Sequence, residues 1–146
     1  KSMAGQTIET ILGSRLSEMK KLTANTLSSV LINNDKGKLS VSNLPPMSQW
    51  SPIFSFISGD FNKDGKTDVL SAANFYGVLP YEGQYDADYG TVLLNKGSSY
   101  QEVSMLQTGL QLEGEIRDIK KISAGPNGSF YVFSRNNNTL LVYKNK

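Results

Sequence analysis

The sequence predicts an all-β chain with an N-terminal helix, and three observations support that prediction. Between Gly5 and Leu22, apolar residues recur every three or four positions, which is the spacing of one helix face. After Asn25 the chain changes to short β-branched or aromatic runs separated by Asn, Gly, Asp and Ser, as in strands joined by tight turns. The third observation is an internal repeat, which defines the architecture.

The repeat relates residues 29–45 to residues 91–107, with a period of about sixty residues that is within or slightly above the length of a β-propeller blade. The matched pairs are Val30 with Val92, Ile32 with Leu94 and Asn33 with Asn95. Each blade of a propeller is a four-stranded antiparallel sheet. We therefore expect a partial β-propeller of roughly two blades, forming the C-terminal part of a larger propeller.

Each element follows from a local pattern. Thr7 can cap the N-terminal helix, and Gly13 leaves open whether one helix or two short ones form. The apolar face of that helix consists of Ile8, Ile11, Leu12, Leu16 and Met19. Pro126-Asn127-Gly128 supplies a turn, because Asn-Gly between alternating strands is the strongest short hairpin signal.

The predicted strands follow the helix in a fixed order. They form a hairpin at 29–43, single strands at 53–59 and 67–74, hairpins at 91–106 and 115–134, and a last strand at 139–143. This makes about nine strands, which at four strands per blade correspond to the outer half of one blade, one complete blade and three strands of a third. The chain is thus divided into a helical segment at 1–24 and a blade region at 25–146.

The composition excludes several classes of function. Fifteen Lys and Arg against thirteen Asp and Glu give a net charge of +2, with both signs scattered, which argues against a nucleic-acid partner. No apolar run is long enough to span a bilayer. The chain has no Cys and no His, so disulfides, metal sites built on those residues and histidine-based catalysis are excluded.

An acidic loop lies within the stretch SGDFNKDGKTDVLSAANF at 58–75. Calcium takes about six to eight oxygen ligands, and a loop with carboxylate or amide groups at positions 1, 3 and 5, a carbonyl at 7 and a carboxylate near 9 folds around the ion. The residues at those positions are Asp60, Asn62, Asp64, Lys66 through its carbonyl, and Asp68. Gly65 provides the sharp turn. The alternative is a solvated turn without metal, because Asn and Asp favour turns by themselves.

The run GDFNKDGKTDVL resembles the FG-GAP or VCBS type of β-propeller repeat, whose hallmark is Gly-Asp-Phe-Asn-x-Asp-Gly-x-x-Asp between the first two strands of a blade. Two further stretches, ANFYGVLPYEGQYDADYGTVLLNKG and GEIRDIKKI, look like the C-terminal part of bacterial FG-GAP proteins that carry an ASPIC/UnbV segment. The resemblance implies a calcium-stabilised interaction module of a secreted or surface protein, similar to integrin α-subunit propellers. Residues 124–131 lack the carboxylates in the second repeat, so the resemblance implies one calcium ion.

The expected affinity of this loop indicates a location. Three carboxylates without a glutamate at position 12 should bind calcium in the weaker range of extracellular modules, about 0.1 to 1 mM. Such a site stays filled outside the cytosol, so we expect an extracellular, periplasmic or outer-surface protein. Calcium surrounded mostly by protein ligands polarises water weakly compared with zinc, so the ion is expected to hold the loop in shape.

The connection from Phe75 to Gly90 combines four tyrosines with three acids, and long loops of this kind are often functional. Aromatic rings beside carboxylates can hold a sugar or anchor a protein partner. The candidate partner-binding residues are Tyr81, Glu82, Tyr85, Asp86, Asp88 and Tyr89. The alternatives are that the tyrosines pack the loop over the edge of a blade, or that two acids cleave glycosidic bonds.

The predicted function is a non-catalytic, calcium-stabilised binding or adhesion module for a protein or carbohydrate partner. One rival is an accessory part of a polysaccharide-active lyase or hydrolase, which would need converging groups of perturbed pKa in a cleft. Another is a structural spacer without calcium. An incomplete ring also leaves strand edges free to pair with the rest of the parent propeller or with another chain.

Overall fold

The computed structural model describes residues 3–144 and is mostly β-structure, as predicted. Nine strands lie within those residues, in agreement with the expected number. They are β1 (Val30–Asp35), β2 (Lys38–Asn43), β3 (Ser55–Gly59), β4 (Asp68–Ala72), β5 (Thr91–Asn95), β6 (Tyr100–Val103), β7 (Ile116–Ser123), β8 (Ser129–Arg135) and β9 (Leu141–Lys144). The helices are α1 (Ile8–Leu12) and α2 (Met105–Thr108), with 3-10 turns at Gly13–Glu18, Pro46–Gln49 and Gly125–Asn127.

The strands form three antiparallel sheets. Their orders are β1-β2, β3-β4-β5-β6 and β7-β8-β9, so the sheets have two, four and three strands. This division agrees with the predicted half blade, complete blade and three-stranded remainder. No sheet closes into a barrel or ring among residues 3–144, and the propeller itself therefore stays a prediction.

The predicted N-terminal helix is much shorter than the apolar pattern indicates. Thr7 caps it as expected, because its hydroxyl accepts a hydrogen bond from the backbone N–H of Thr10. Gly13, at φ +54°, then ends α1 after five residues. A helix this short is only marginally stable without packing, and no residue of α1 or the following 3-10 turn is buried. The apolar face of this segment therefore contributes no residue to the core within residues 3–144.

The hydrophobic core lies between the four-stranded and the three-stranded sheets. Side chains alternate across each strand, so every second residue points into this layer. The buried cluster consists of Leu70, Ala72, Val92, Leu112, Ile116, Ile119, Tyr131 and Phe133. Edge-to-face packing of Phe133 on Tyr143, with ring centres 5.9 Å apart, links β8 to β9. Among residues 3–144, no helix is long and apolar enough to cross a membrane.

Two hairpin turns show how local sequence positions the strands. Lys36 and Gly37 join β1 to β2, both at positive φ, which is the two-residue turn that matches the twist of a hairpin. The turn expected at Pro126-Asn127-Gly128 joins β7 to β8, but the connection spans residues 124–128 and includes a short 3-10 turn. A backbone hydrogen bond from Ala124 to the Gly128 carbonyl closes it.

Candidate functional site

The acidic loop connects β3 to β4 and is organised around Asp60. The two carboxylate oxygens of Asp60 accept hydrogen bonds from the backbone N–H groups of Asp64 (3.1 Å) and Gly65 (2.9 Å). Lys63 and Gly65 both adopt positive φ, at +61° and +82°, which gives the loop its sharp reversal. Asp60, the first candidate ligand, therefore fixes the backbone conformation that positions the other candidate ligands.

Asn62 and Asp64 lie against each other on the exposed side of this loop. The Asn62 amide accepts a hydrogen bond from the backbone of Asp64 and donates one to Asp64 Oδ2, each at 3.1 Å. Asp64 Oδ1 accepts a further hydrogen bond from the backbone N–H of Lys66 at 2.9 Å. The hydrogen bonds from Lys66 and then Asn62 lower the pKa of Asp64, so its carboxylate remains ionised.

Asp68 occupies a different environment at the base of the loop. Its side chain is completely buried, and its oxygens accept hydrogen bonds from the backbone of Phe61 (2.9 Å) and Asn95 (2.8 Å). Asn95 in turn donates its amide to the carbonyl of Thr67. Asp68 thus joins the start of the loop, the start of β4 and the end of β5.

The donor set of the loop fits calcium chemically. It contains carboxylate, amide and carbonyl oxygens, the ligands this ion prefers. Each carboxylate oxygen has two lone pairs, and one backbone N–H uses only one of them. The structure brings Asp60, Asn62 and Asp64 together and holds Asp68 behind them. In the described part of the chain, no three or more His, Cys, Asp or Glu side chains form a metal-binding group.

The second candidate site is the loop between β4 and β5. Paired backbone hydrogen bonds between Phe75 and Tyr85, at 2.9 and 3.0 Å, close it into a small antiparallel bridge. Tyr81 is 82% exposed, and Tyr85 and Tyr89 are 48% and 40% exposed. The acids on the same solvent-facing part of the loop are Glu82 and Asp86.

Asp88 belongs to the same loop but is turned into the protein. It is only 7% exposed, and its carboxylate accepts hydrogen bonds from the backbone of Ala73 and Gly90 and from the hydroxyl of Thr91. Burial raises the pKa of Asp88, although these three hydrogen bonds act in the opposite direction. Asp88 therefore anchors the loop from below, and the other five candidate residues form its exposed surface.

Sequence reasoning missed a buried polar cluster under this loop. Asn74, at φ +85° and 1% exposed, exchanges two hydrogen bonds with the backbone of Asp88. Glu115 accepts hydrogen bonds from the backbone of Tyr76 and from the side chain of Arg117 at 2.6 Å. Residues 115 and 117 are two positions apart, a spacing that places side chains on one face of a strand. That spacing was the signal available in the sequence.

Arg117 extends this cluster to the aromatic rings beside it. Its guanidinium lies 4.1 Å from the centre of the Phe54 ring, and Phe54 stacks on Phe75 with ring centres 6.0 Å apart. A guanidinium over an aromatic face is attractive at this distance. Phe75, the first residue of the bridge that closes the tyrosine loop (residues 75–90), is therefore held by a partly exposed stack of Phe54 and Arg117.

Comparison with known proteins identifies no relative. A scan against protein-family models and searches of curated proteins and of solved structures gave no significant match to this chain.

Proposed function

We propose that this chain is a non-catalytic, calcium-stabilised binding module of a secreted or cell-surface protein, built from propeller blades of the FG-GAP or VCBS type. The observation that supports it best is the acidic loop. Asp60 fixes the backbone of the turn, while Asn62 and Asp64 present oxygen atoms at its exposed side. This arrangement concentrates negative charge and oxygen ligands at one reversal of the chain.

The ion would be held by one loop. The proposed ligands are the side chains of Asp60, Asn62, Asp64 and Asp68 and the carbonyl of Lys66. Because Asp68 is tied to Asn95 on β5, an ion at this loop would also stabilise the pairing of β4 with β5. Calcium supplies charge neutralisation and cross-linking in such a site. No reaction is assigned to it.

The partner surface in this proposal is the exposed part of the tyrosine loop. Tyr81, Tyr85 and Tyr89 present apolar rings beside the carboxylates of Glu82 and Asp86, a combination that suits a carbohydrate or a protein surface. The buried contacts of Asp88 hold the base of the loop. A rigid base lowers the entropy lost on binding. The loop is therefore a better candidate for recognition than an unanchored one.

Calcium titration by calorimetry, run beside thermal melts, tests the metal part of the proposal. Asp64→Asn removes one charge from the loop and keeps an acceptor for Lys66, and Asp35→Asn is the control in the exposed β1–β2 hairpin. We expect one site of about 1 mM or tighter, and about 1.4 kcal/mol of stabilisation at tenfold excess of calcium over the dissociation constant. Both effects should weaken in Asp64→Asn and persist in Asp35→Asn.

An absence of heat and of any melting shift in the wild type would reject calcium binding. The loop would then be a turn held by its own Asp and Asn hydrogen bonds.

Carbohydrate arrays test the partner surface separately. Tyr81→Ser removes the most exposed ring of the loop, and Leu106→Ser is a matched control because Leu106 is an 88% exposed apolar residue elsewhere. Selective loss of glycan binding in Tyr81→Ser would support a carbohydrate partner. Failure of the wild type to bind any glycan would reject that partner and favour a protein.

A further inference from the structure

A cavity of about 520 Å³ opens between the four-stranded and the three-stranded sheets. Val92, Leu94 and Val103 form one wall, and Tyr131 and Tyr143 form the opposite wall. The deeper side of this space is the packed core, where Leu70 and Val92 are almost completely buried. The cavity is therefore a largely apolar extension of the core that remains open to solvent, with Asn62, Gln107, Thr108 and Lys144 also in its lining.

The cavity exists because the four-stranded sheet faces a sheet of three strands. In the strand orders β3-β4-β5-β6 and β7-β8-β9, the β3–β4 pair occupies the same positions as the β7–β8 pair, and β5 the same position as β9. β6 pairs with β5 through Val103 and Val92, but within residues 3–144 no strand pairs with the corresponding edge of β9. Val103 on β6 accordingly lines the open cavity.

The unpaired edge of β9 is held in position. The Tyr143 hydroxyl donates a hydrogen bond to the carbonyl of Gln111 at 3.0 Å and accepts one from its N–H at 3.3 Å. The Tyr143 ring packs against Phe133. Leu141 and Tyr143 are half-buried on the core side, whereas Val142 is 58% exposed on the other face. The edge thus combines an ordered backbone with an apolar space beside it.

We propose that an extended peptide binds here as an added β-strand, pairing with the edge of β9 and placing alternate apolar side chains in the cavity. In strand addition, main-chain hydrogen bonds provide affinity and pockets for alternate side chains provide specificity. The cavity volume lies within the range of ligand sites, about 300 to 1,000 Å³. This site is separate from the tyrosine loop and does not require the proposed calcium ion.

The equivalent positions of β5 and β9 in their sheets suggest a probe for this site. β6 is the strand that pairs with β5, the counterpart of β9, so a synthetic peptide SYQEVSML, copied from residues 99–106, should pair with β9. The control peptide has proline in place of Gln101, whose backbone N–H faces β5 in the β5–β6 pair, so this proline removes a donor that strand pairing needs. Fluorescence anisotropy of the labelled peptide measures binding to the complete chain. Hydrogen exchange of the chain measures which amides become protected.

We expect saturable binding with a dissociation constant below about 1 mM, and slower exchange at amides of Leu141–Lys144. The proline peptide should bind at least about tenfold more weakly, because a missing donor breaks the added ladder. No binding of SYQEVSML at millimolar concentration would overturn the proposal. Equal binding of both peptides, or binding without protection at β9, would also overturn it.

Two protein variants locate the site. Thr108→Trp places a large ring at the wall of the cavity, and Val142→Trp places the same ring on the opposite, exposed face of β9. Thermal melts show whether each variant folds, and Thr108→Ile is a smaller blocking substitution if Thr108→Trp does not. The blocking substitution at Thr108 should lower the affinity for the peptide about tenfold or more. Val142→Trp should leave that affinity within about twofold of wild type. The opposite ranking would overturn the assignment.

Light scattering distinguishes the peptide from a second copy of the chain. A monomer that binds the peptide supports the proposal. A dimer that dissociates in Thr108→Trp would assign the edge of β9 to self-association and overturn it.

Discussion

The carboxylate of Asp68 and the backbone N–H of Asn95 are joined by a hydrogen bond of 2.8 Å across 27 positions of sequence. The other oxygen of the same carboxylate accepts from Phe61. A completely buried acid thereby connects the acidic loop to the end of β5. Both hydrogen bonds are made between groups of the chain, so they tie the base of the loop directly to β5.

Asp68→Ala should destabilise the protein strongly even without calcium. It would leave the partly buried N–H groups of Phe61 and Asn95 without their acceptor, at a cost of about 1 kcal/mol or more for each donor. Urea unfolding in EDTA measures the change, with the exposed Asp35→Ala as control, for which we expect about 0.5 kcal/mol or less. Equal effects of the two substitutions would contradict the anchoring role.

Asp88 should make the protein less stable as pH rises. Because burial raises its pKa, the folded chain holds this proton more tightly than the unfolded chain. The stabilisation is complete below the unfolded pKa, about 3.9, and is lost as pH rises through the higher folded value. Asp88→Asn cannot lose this proton, so its free energy of unfolding relative to wild type should rise over that window. Urea titrations at several pH values measure the difference.

Glu115 should show the opposite pH dependence. Burial alone would raise its pKa, but the hydrogen bonds from Tyr76 and Asn136 and the charge of Arg117 outweigh burial and lower it. Its stabilisation is therefore present above the unfolded pKa, about 4.3, and is lost as pH falls through the folded value. Relative to wild type, Glu115→Gln should lose most stability at neutral pH. A relative stability that does not change between neutral pH and about pH 3 would contradict this.

Gly90 and Gly37 offer a matched pair of substitutions. Both adopt φ +94°, where an alanine is strained, but a Cβ at Gly90 would lie 2.7 Å from Leu112 Cδ1 whereas Gly37 has open space. Gly37→Ala should cost about 1 kcal/mol from the backbone alone. Gly90→Ala should cost at least about 1 kcal/mol more, because the completely buried Leu112 must move. Thermal melts of the two variants measure the difference, and equal costs would contradict it.

The sequence predicted the strands well because hairpins depend on local chemistry. Lys36-Gly37 and the Asn- and Gly-rich connections mark where the chain reverses, and the alternating residues between them mark strands. The length of α1 was not predictable from its apolar spacing, because that face finds no surface to cover in the described structure. Periodicity records that a face is apolar, whereas helix length also depends on packing.

The role of Asp88 was equally beyond the sequence. In the sequence, Asp86 and Asp88 are two equivalent acids of one loop. Asp88 is nevertheless buried, because its carboxylate accepts a hydrogen bond from the backbone N–H of Ala73, 15 positions away. The cavity beside β9 has the same character. The three-stranded count of the last sheet followed from the sequence, but the open space between β9 and the four-stranded sheet depends on how the two sheets pack within residues 3–144.

Calcium and the peptide should strengthen each other's binding. Phe61 stands between the proposed ligands Asp60 and Asn62, lines the cavity and packs on Tyr131 with ring centres 5.8 Å apart. An ion that orders the loop would therefore order one wall of the peptide site, and coupling between two sites is reciprocal.

We expect peptide affinity to rise about fivefold between EDTA and saturating calcium. The rise should be smaller in Asp64→Asn when calcium is at a concentration that just saturates wild type, and in EDTA the two proteins should bind the peptide equally. Anisotropy titrations in both buffers measure it, and a calcium effect that persists unchanged in Asp64→Asn would show that the ion acts elsewhere.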